Sequence, residues 1–196
     1  SEVKKIKMGD VEDFSVFMGA VIDKSSFDNI KSYIDYAKNS KDAKIIAGGG
    51  CDSSRGYFVE PTVILTTDPR FKSMQEEIFG PVLTIYVYKD VDFEKTLELC
   101  DQTSPYALTG AIFAEDRTAV KTAFDTLRYS AGNFYINDKC TGAVVGQQPF
   151  GGARKSGTND KAGSFLNLVR WTSARTVKEN FCPPGDFKYG YMSSWE

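Results

Sequence analysis

The chain has 196 residues, of which 41% are hydrophobic, 26% charged and 13% aromatic, the balance of a globular chain and not of a disordered one. Its 24 Lys and Arg against 26 Asp and Glu leave a net charge of −2, so there is no basic field to condense on a phosphate backbone, and nucleic acid is a poor partner. Histidine is absent, which removes serine-histidine triads, cysteine-histidine dyads and histidine-held metals together.

Scaling laws for a chain of this mass give about 9,200 Å² of surface folded and about 31,500 Å² unfolded, so roughly 70% is expected to be buried around a core that needs no disulfide. The cysteines stand at 51, 100, 140 and 182. None falls in a CxxC or other metal-ligand spacing, and they read as reduced thiols, with no metal site expected. The first residue is Ser1 and no signal pattern follows it, as expected of a chain processed or cut from something longer.

In chain order, the segment SSFDNIKSYIDYAKNS from Ser25 places Phe27, Ile30, Ile34 and Ala37 at helical spacing, with Ser25 or Ser26 able to cap the helix. Lys44–Ala47 then reads as a short strand stopped by Gly48–Gly50. Tyr57–Val59 and Thr62–Leu65 flank Pro61, whose ring removes a ladder donor and predicts an edge or bulge position. Val82–Tyr88 is a β-branched and aromatic strand, far too short to span a bilayer, which takes roughly 20 apolar residues. A helix from about Asp92 follows, with Phe93, Leu97 and Cys100 on one face. Ala111–Ala114 is strand-like, Asp116 caps a helix with a stripe of Val120, Phe124 and Leu127, and Asn133–Asn137 is the next strand. These alternations predict an α/β fold, a mainly parallel sheet flanked by helices.

From Phe181 to Glu196 the chain carries Phe181, Phe187, Tyr189, Tyr191 and Trp195. Phe187, Tyr189 and Tyr191 alternate, so an extended tail would show all three on one face and could add to a sheet edge, or dock on its own core.

The glycine-rich segments fit no nucleotide-binding signature. Gly48–Gly50 does not continue into GxGxxG because Ser53 stands where the last glycine belongs, and Arg154-Lys155-Ser156 lacks the glycine before lysine of a phosphate loop. Phe150–Gly157 is still a loop whose backbone can approach a ligand closely, or else a structural turn. Glu76 and Glu77 set two carboxylates just before a core strand, where ligands of α/β folds gather, or they are a solvated helix end.

Glu76–Pro81, together with Pro149–Gly152 and Ser156-Gly157, resembles the aldehyde dehydrogenase superfamily. Gly132–Lys139 and Gly146–Asp160 narrow the resemblance to its mitochondrial branch that oxidises glutamate γ-semialdehyde with NAD in proline breakdown. That resemblance runs essentially the whole length. It implies the fold of an aldehyde dehydrogenase catalytic-domain segment over residues 1–175 and an oligomerisation strand and tail over 176–196.

It also implies site residues. Glu77 would accept hydrogen bonds from the nicotinamide ribose hydroxyls, and Phe79 would pack on that half of NAD. Gly142 and Ala143 would hold the carboxylate of the aldehyde substrate through backbone N–H groups, and Phe150 would line its aliphatic chain. Asn133 and Asn137 would fix the loop. In such enzymes a cysteine thiolate attacks the aldehyde, hydride passes to nicotinamide and water hydrolyses the thioester. The family's nucleophile, general-base glutamate and cofactor-binding sheet lie upstream of the matching region, so no catalytic residue is expected in this chain. Further expectations are a homo-oligomer through the tail, a mitochondrial matrix location, and no membrane partner. The alternative is a non-catalytic short form that binds full-length subunits through its aromatic tail.

Overall fold

The structure is a computed structural model and describes residues 2–192. Helix α1, Lys24–Lys38, buries Phe27, Ile30, Tyr33, Ile34 and Ala37 along one stripe. Its cap is Asp23 and not a serine: the Asp23 carboxylate accepts the Ser26 N–H at 2.7 Å. Aspartate satisfies the orphan donor while adding negative charge at the positive end of the helix.

Strands β1 (Ala43–Ala47), β2 (Cys51–Asp52), β3 (Phe58–Val59), β4 (Thr62–Thr66) and β5 (Val82–Tyr86) follow, with the short helix α2 (Lys72–Gln75) between the last two. They form a three-stranded sheet in the order β1-β4-β5 and a β2-β3 ribbon. β4 runs parallel to β5, from Thr62 opposite Val82 to Thr66 opposite Tyr86, and antiparallel to β1. The strand after Pro61 is therefore central, not an edge. Pro61 stands one residue outside the ladder, and the irregularity falls on the partner, between Ile45 and Ala47 of β1. At Gly48, φ is +67° and a Cβ would lie 2.1 Å from Pro61 O, so only glycine lets the backbone leave β1 this close to β4.

The second half is β6 (Tyr106–Ala107), β7 (Thr109–Ile112), β8 (Asn133–Ile136) and β9 (Ala153–Arg154), with helices α3 (Phe93–Thr103), α4 (Arg117–Thr126) and α5 (Phe165–Val169). β7-α4-β8 is a parallel βαβ unit like β4-α2-β5, and β6 pairs β9 antiparallel. The class is α/β, with the expected parallel units present but divided between separate sheets. Asp116 caps α4 by accepting the Thr118 N–H at 2.7 Å, as the sequence predicts.

Three clusters make the core: Phe27, Ile30, Tyr33, Ile34, Val59 and Ile78; Ala37, Ile64 and Phe71; and Leu97, Ala123 and Leu127. Phe124, expected on the buried stripe of α4, is 47% exposed and meets Phe134 edge-on at 5.5 Å; Ala123 takes the buried position. The total accessible surface is 14,831 Å², well above the scaling-law value of about 9,200 Å². About half of the unfolded surface is buried, against the 70% expected, because the core is split into small clusters under open sheets. No helix among the described residues is long and apolar enough to cross a membrane. Tyr189 and Tyr191 stack with centroids 5.7 Å apart, while Trp195 lies outside the described residues.

Candidate functional site

The segment after α2 sorts its side chains by alternation. Ile78 is buried in the α1 cluster, and Glu76 is tied down by the Tyr33 hydroxyl, which donates to Glu76 Oε2 at 2.5 Å. Glu77 and Phe79 consequently face outward, and Phe79 is 86% exposed. Phe79 also has φ +58°, a left-handed conformation a bulky residue keeps only when its surroundings impose it. The constraint comes from both sides: Ile78 is packed, and at Gly80 a Cβ would stand 2.4 Å from Ile30 Cδ1, so the chain passes directly over α1. An exposed carboxylate beside an exposed aromatic ring can accept from vicinal hydroxyls and cover an apolar ring face.

The second cluster hangs on the ends of β8 and β9. The Thr109 hydroxyl donates to Cys140 O at 2.6 Å, and the Val144 N–H donates to Gln148 Oε1 at 2.8 Å. Between these ties, at Gly142 with φ +79°, the N–H groups of Gly142 and Ala143 meet no acceptor among the described residues. Two adjacent unclaimed donors suit a carboxylate. Phe150 is pinned through its N–H to Ala162 O at 2.7 Å, and its ring stays partly exposed. Gly151 and Gly132 let three backbones stack here. A Cβ on Gly151 would meet Thr158 O at 2.0 Å, and one on Gly132 would meet Gly151 O at the same distance.

Both asparagines act on backbone. Asn137, with φ +55°, accepts the Ala114 N–H at 2.9 Å and donates to Ala114 O at 3.0 Å, which fastens the end of β8 to the end of β7. Asn133 donates to Pro149 O at 3.2 Å and holds the approach to Phe150. The structure thus gathers Gly142, Ala143 and Phe150 into one loop system and sets Glu77 and Phe79 on a separate segment of the other sheet.

A feature without any sequence signal is the junction at Asp101. Arg154, with φ +53°, donates Nη1 to Asp101 O at 2.6 Å and Nη2 to Asp101 Oδ1 at 2.5 Å, and the Ser130 hydroxyl donates to the same oxygen. The Ser130 bond first, then Arg154, holds the Asp101 carboxyl below its usual range against a desolvation that raises it. This fastens the glycine loop to α3.

Burial pushes the Cys51 and Cys100 thiols up, which lowers the thiolate fraction. Cys100 borders an apolar hollow of about 420 Å³ lined also by Tyr86, Leu99 and Phe134, and is exposed. Cys140 and Cys182 are exposed. That hollow contains none of Glu77, Phe79, Gly142, Ala143 or Phe150.

Comparison with known proteins adds independent evidence. The aldehyde dehydrogenase family model matches residues 1–177. The chain is 70% identical over 190 residues to a mitochondrial delta-1-pyrroline-5-carboxylate dehydrogenase of Dictyostelium discoideum, a match covering 97% of this chain and 34% of that relative. The mitochondrial enzyme of the same name from Homo sapiens is 54% identical, again over 97% of this chain and 34% of its own length. The crystal structure of a Mycobacterium tuberculosis delta-pyrroline-5-carboxylate dehydrogenase bound with NAD superposes with a TM-score of 0.86 at 51% identity, covering 98% of this chain and 35% of that one. This chain therefore spans about a third of the length of the relatives it matches.

Proposed function

This chain belongs to the aldehyde dehydrogenase family, and from that premise we propose that it supplies the later catalytic-domain segment of an NAD-dependent dehydrogenase that oxidises glutamate γ-semialdehyde to glutamate in proline catabolism. The observation that carries this reading is the adjacent pair of unclaimed N–H groups at Gly142 and Ala143, held between two tied residues. They fit the carboxylate that distinguishes this aldehyde from others, and Phe150 would line the aliphatic chain behind it.

In this reading Glu77 and Phe79 hold the nicotinamide half of NAD, the carboxylate on ribose hydroxyls and the ring on its apolar face. Their exposure fits that role. NAD, when bound, supplies the hydride acceptor. The nucleophilic thiolate and the general base would come from residues outside the matching segment, as the family resemblance implies. Residues 1–175 would form the catalytic-domain segment and 176–196 a tail through which copies associate. The relatives are named mitochondrial, and in this reading the location within the mitochondrion is the matrix.

The test joins this chain to the preceding two-thirds of the Dictyostelium relative and assays NADH formation from pyrroline-5-carboxylate. The joined enzyme is expected to turn over and the chain alone to be inactive. A folded but inactive joined enzyme, or turnover by the chain alone, would overturn the reading. The exposed aromatics Phe181, Phe187, Tyr189 and Tyr191 support a second reading, a non-catalytic form that binds full-length subunits. Co-elution of the separate chain with the full-length relative on gel filtration would favour it, and separate elution would remove it.

A further inference from the structure

The two glutamates at the end of α2 are chemically alike and one residue apart, yet their surroundings divide them. Glu76 accepts the Tyr33 hydroxyl at 2.5 Å and stands 3.9 Å from Lys72 Nζ. That ammonium lies 4.7 Å from the Tyr33 ring centre and 5.6 Å from that of Tyr36, so a cation over two aromatic faces stands beside the carboxylate, which stays half exposed. Tyr33 itself is buried on α1 beside Ile30, Ile34 and Ile78. The phenol is therefore anchored in the core, and it reaches 43 residues along the sequence to hold Glu76.

Glu77 has no hydrogen-bond or ion-pair partner among the described residues, and Phe79 keeps its left-handed φ of +58°. Held at Glu76, packed at Ile78 and pressed against Ile30 at Gly80, the backbone between has little freedom to let either outward side chain wander. If Glu76 were released, the segment would lose its tie to α1, and the backbone that carries Glu77 and Phe79 would be free to move.

We propose that Tyr33, acting through Glu76 with Lys72, is a positioning residue that ties this segment to α1 and so fixes Glu77 and Phe79 where they meet the cofactor. This rests on the reading of Glu77 and Phe79 as cofactor contacts. Removing the Tyr33 hydroxyl leaves the ring packing in place, so the effect is on the ligand-facing segment and not on the fold.

The test uses the joined enzyme described above. Tyr33→Phe is expected to raise KM for NAD about three- to tenfold, the range of one lost hydrogen bond, with kcat and KM for the aldehyde little changed. Glu76→Ala is expected to reproduce that rise, and Glu76→Gln, which keeps an acceptor for the phenol, to recover most of it. Glu77→Gln is the control on the underlying reading and is expected to raise KM for NAD by itself. No change with Glu77→Gln would overturn the cofactor reading. A rise with Glu77→Gln but none with Tyr33→Phe would overturn the positioning role alone. As a second measurement, ¹⁵N relaxation on the chain itself is expected to show lower order parameters at Glu77 and Phe79 in Tyr33→Phe, with α1 unchanged. Equal order parameters at those residues would also overturn the proposal.

Discussion

Asp101 joins three parts of the chain through one residue: it sits on α3, its carboxylate receives Ser130 from the turn after α4, and Arg154 of β9 binds both its side chain and its carbonyl. A charge-assisted pair with two bonds can hold Arg154 at positive φ where a single contact would not. The carboxyl is held below its ordinary value of 3.8. A depressed folded-state pKa means that its contribution to stability is complete above the unfolded pKa and is lost as pH falls through the folded one. Asp101→Asn is accordingly expected to lower Tm at neutral pH, and the gap from the parent chain should begin to narrow as pH falls below the unfolded value of about 3.8 and close once pH passes below the folded one. Thermal melts across that range check it, and a gap that persists undiminished in acid would contradict the assignment.

At the scale of elements, the join between α1 and the segment leading into β5 is the most closely fitted. Gly80 exists for Ile30, a fully buried side chain whose Cδ1 occupies the place of the missing Cβ. Gly80→Ala is expected to destabilise the chain by about 1–3 kcal/mol, the range for overpacking a filled core. Ile34→Ala, which empties a site with no exposure, is expected to cost about 2–5 kcal/mol. Urea unfolding of the chain measures both. A cost near zero for Gly80→Ala would mean that α1 can move away, and would weaken the argument that this segment is rigid.

For the molecule as a whole, the surface is the telling quantity. The accessible area of 14,831 Å² exceeds that of a self-contained domain of the same mass by more than half. Much of the excess is apolar: Phe14, Phe17, Val87, Phe113 and Trp171 are all exposed. Under the proposed reading the remaining two-thirds of a dehydrogenase covers these side chains. The chain alone is then expected to enhance ANS fluorescence and to associate as its concentration rises in sedimentation velocity, and joining it to the missing portion should suppress both. A monomer that leaves ANS dark at all concentrations would contradict that view.

What the sequence by itself determined is local or motif-borne. The spacing of Phe27, Ile30, Ile34 and Ala37 marked α1, and Asp116 marked the start of α4, because helical periodicity and capping are written within a few adjacent residues. The motifs Glu76–Pro81, Pro149–Gly152 and Ser156-Gly157 identified the family, since such segments combine residue type and order. Tertiary structure alone decided that β4 lies centrally, that Phe124 stays out while Ala123 goes in, that Glu76 is locked and Glu77 is not, and that Asp101 receives Arg154. Each of those depends on groups brought together from distant parts of the chain or on which face a neighbour covers, and neither leaves a mark in local spacing. The area missed by the scaling law has the same origin: composition states how much apolar surface a chain carries, and only the packing decides whether this chain or another part of a larger assembly covers it.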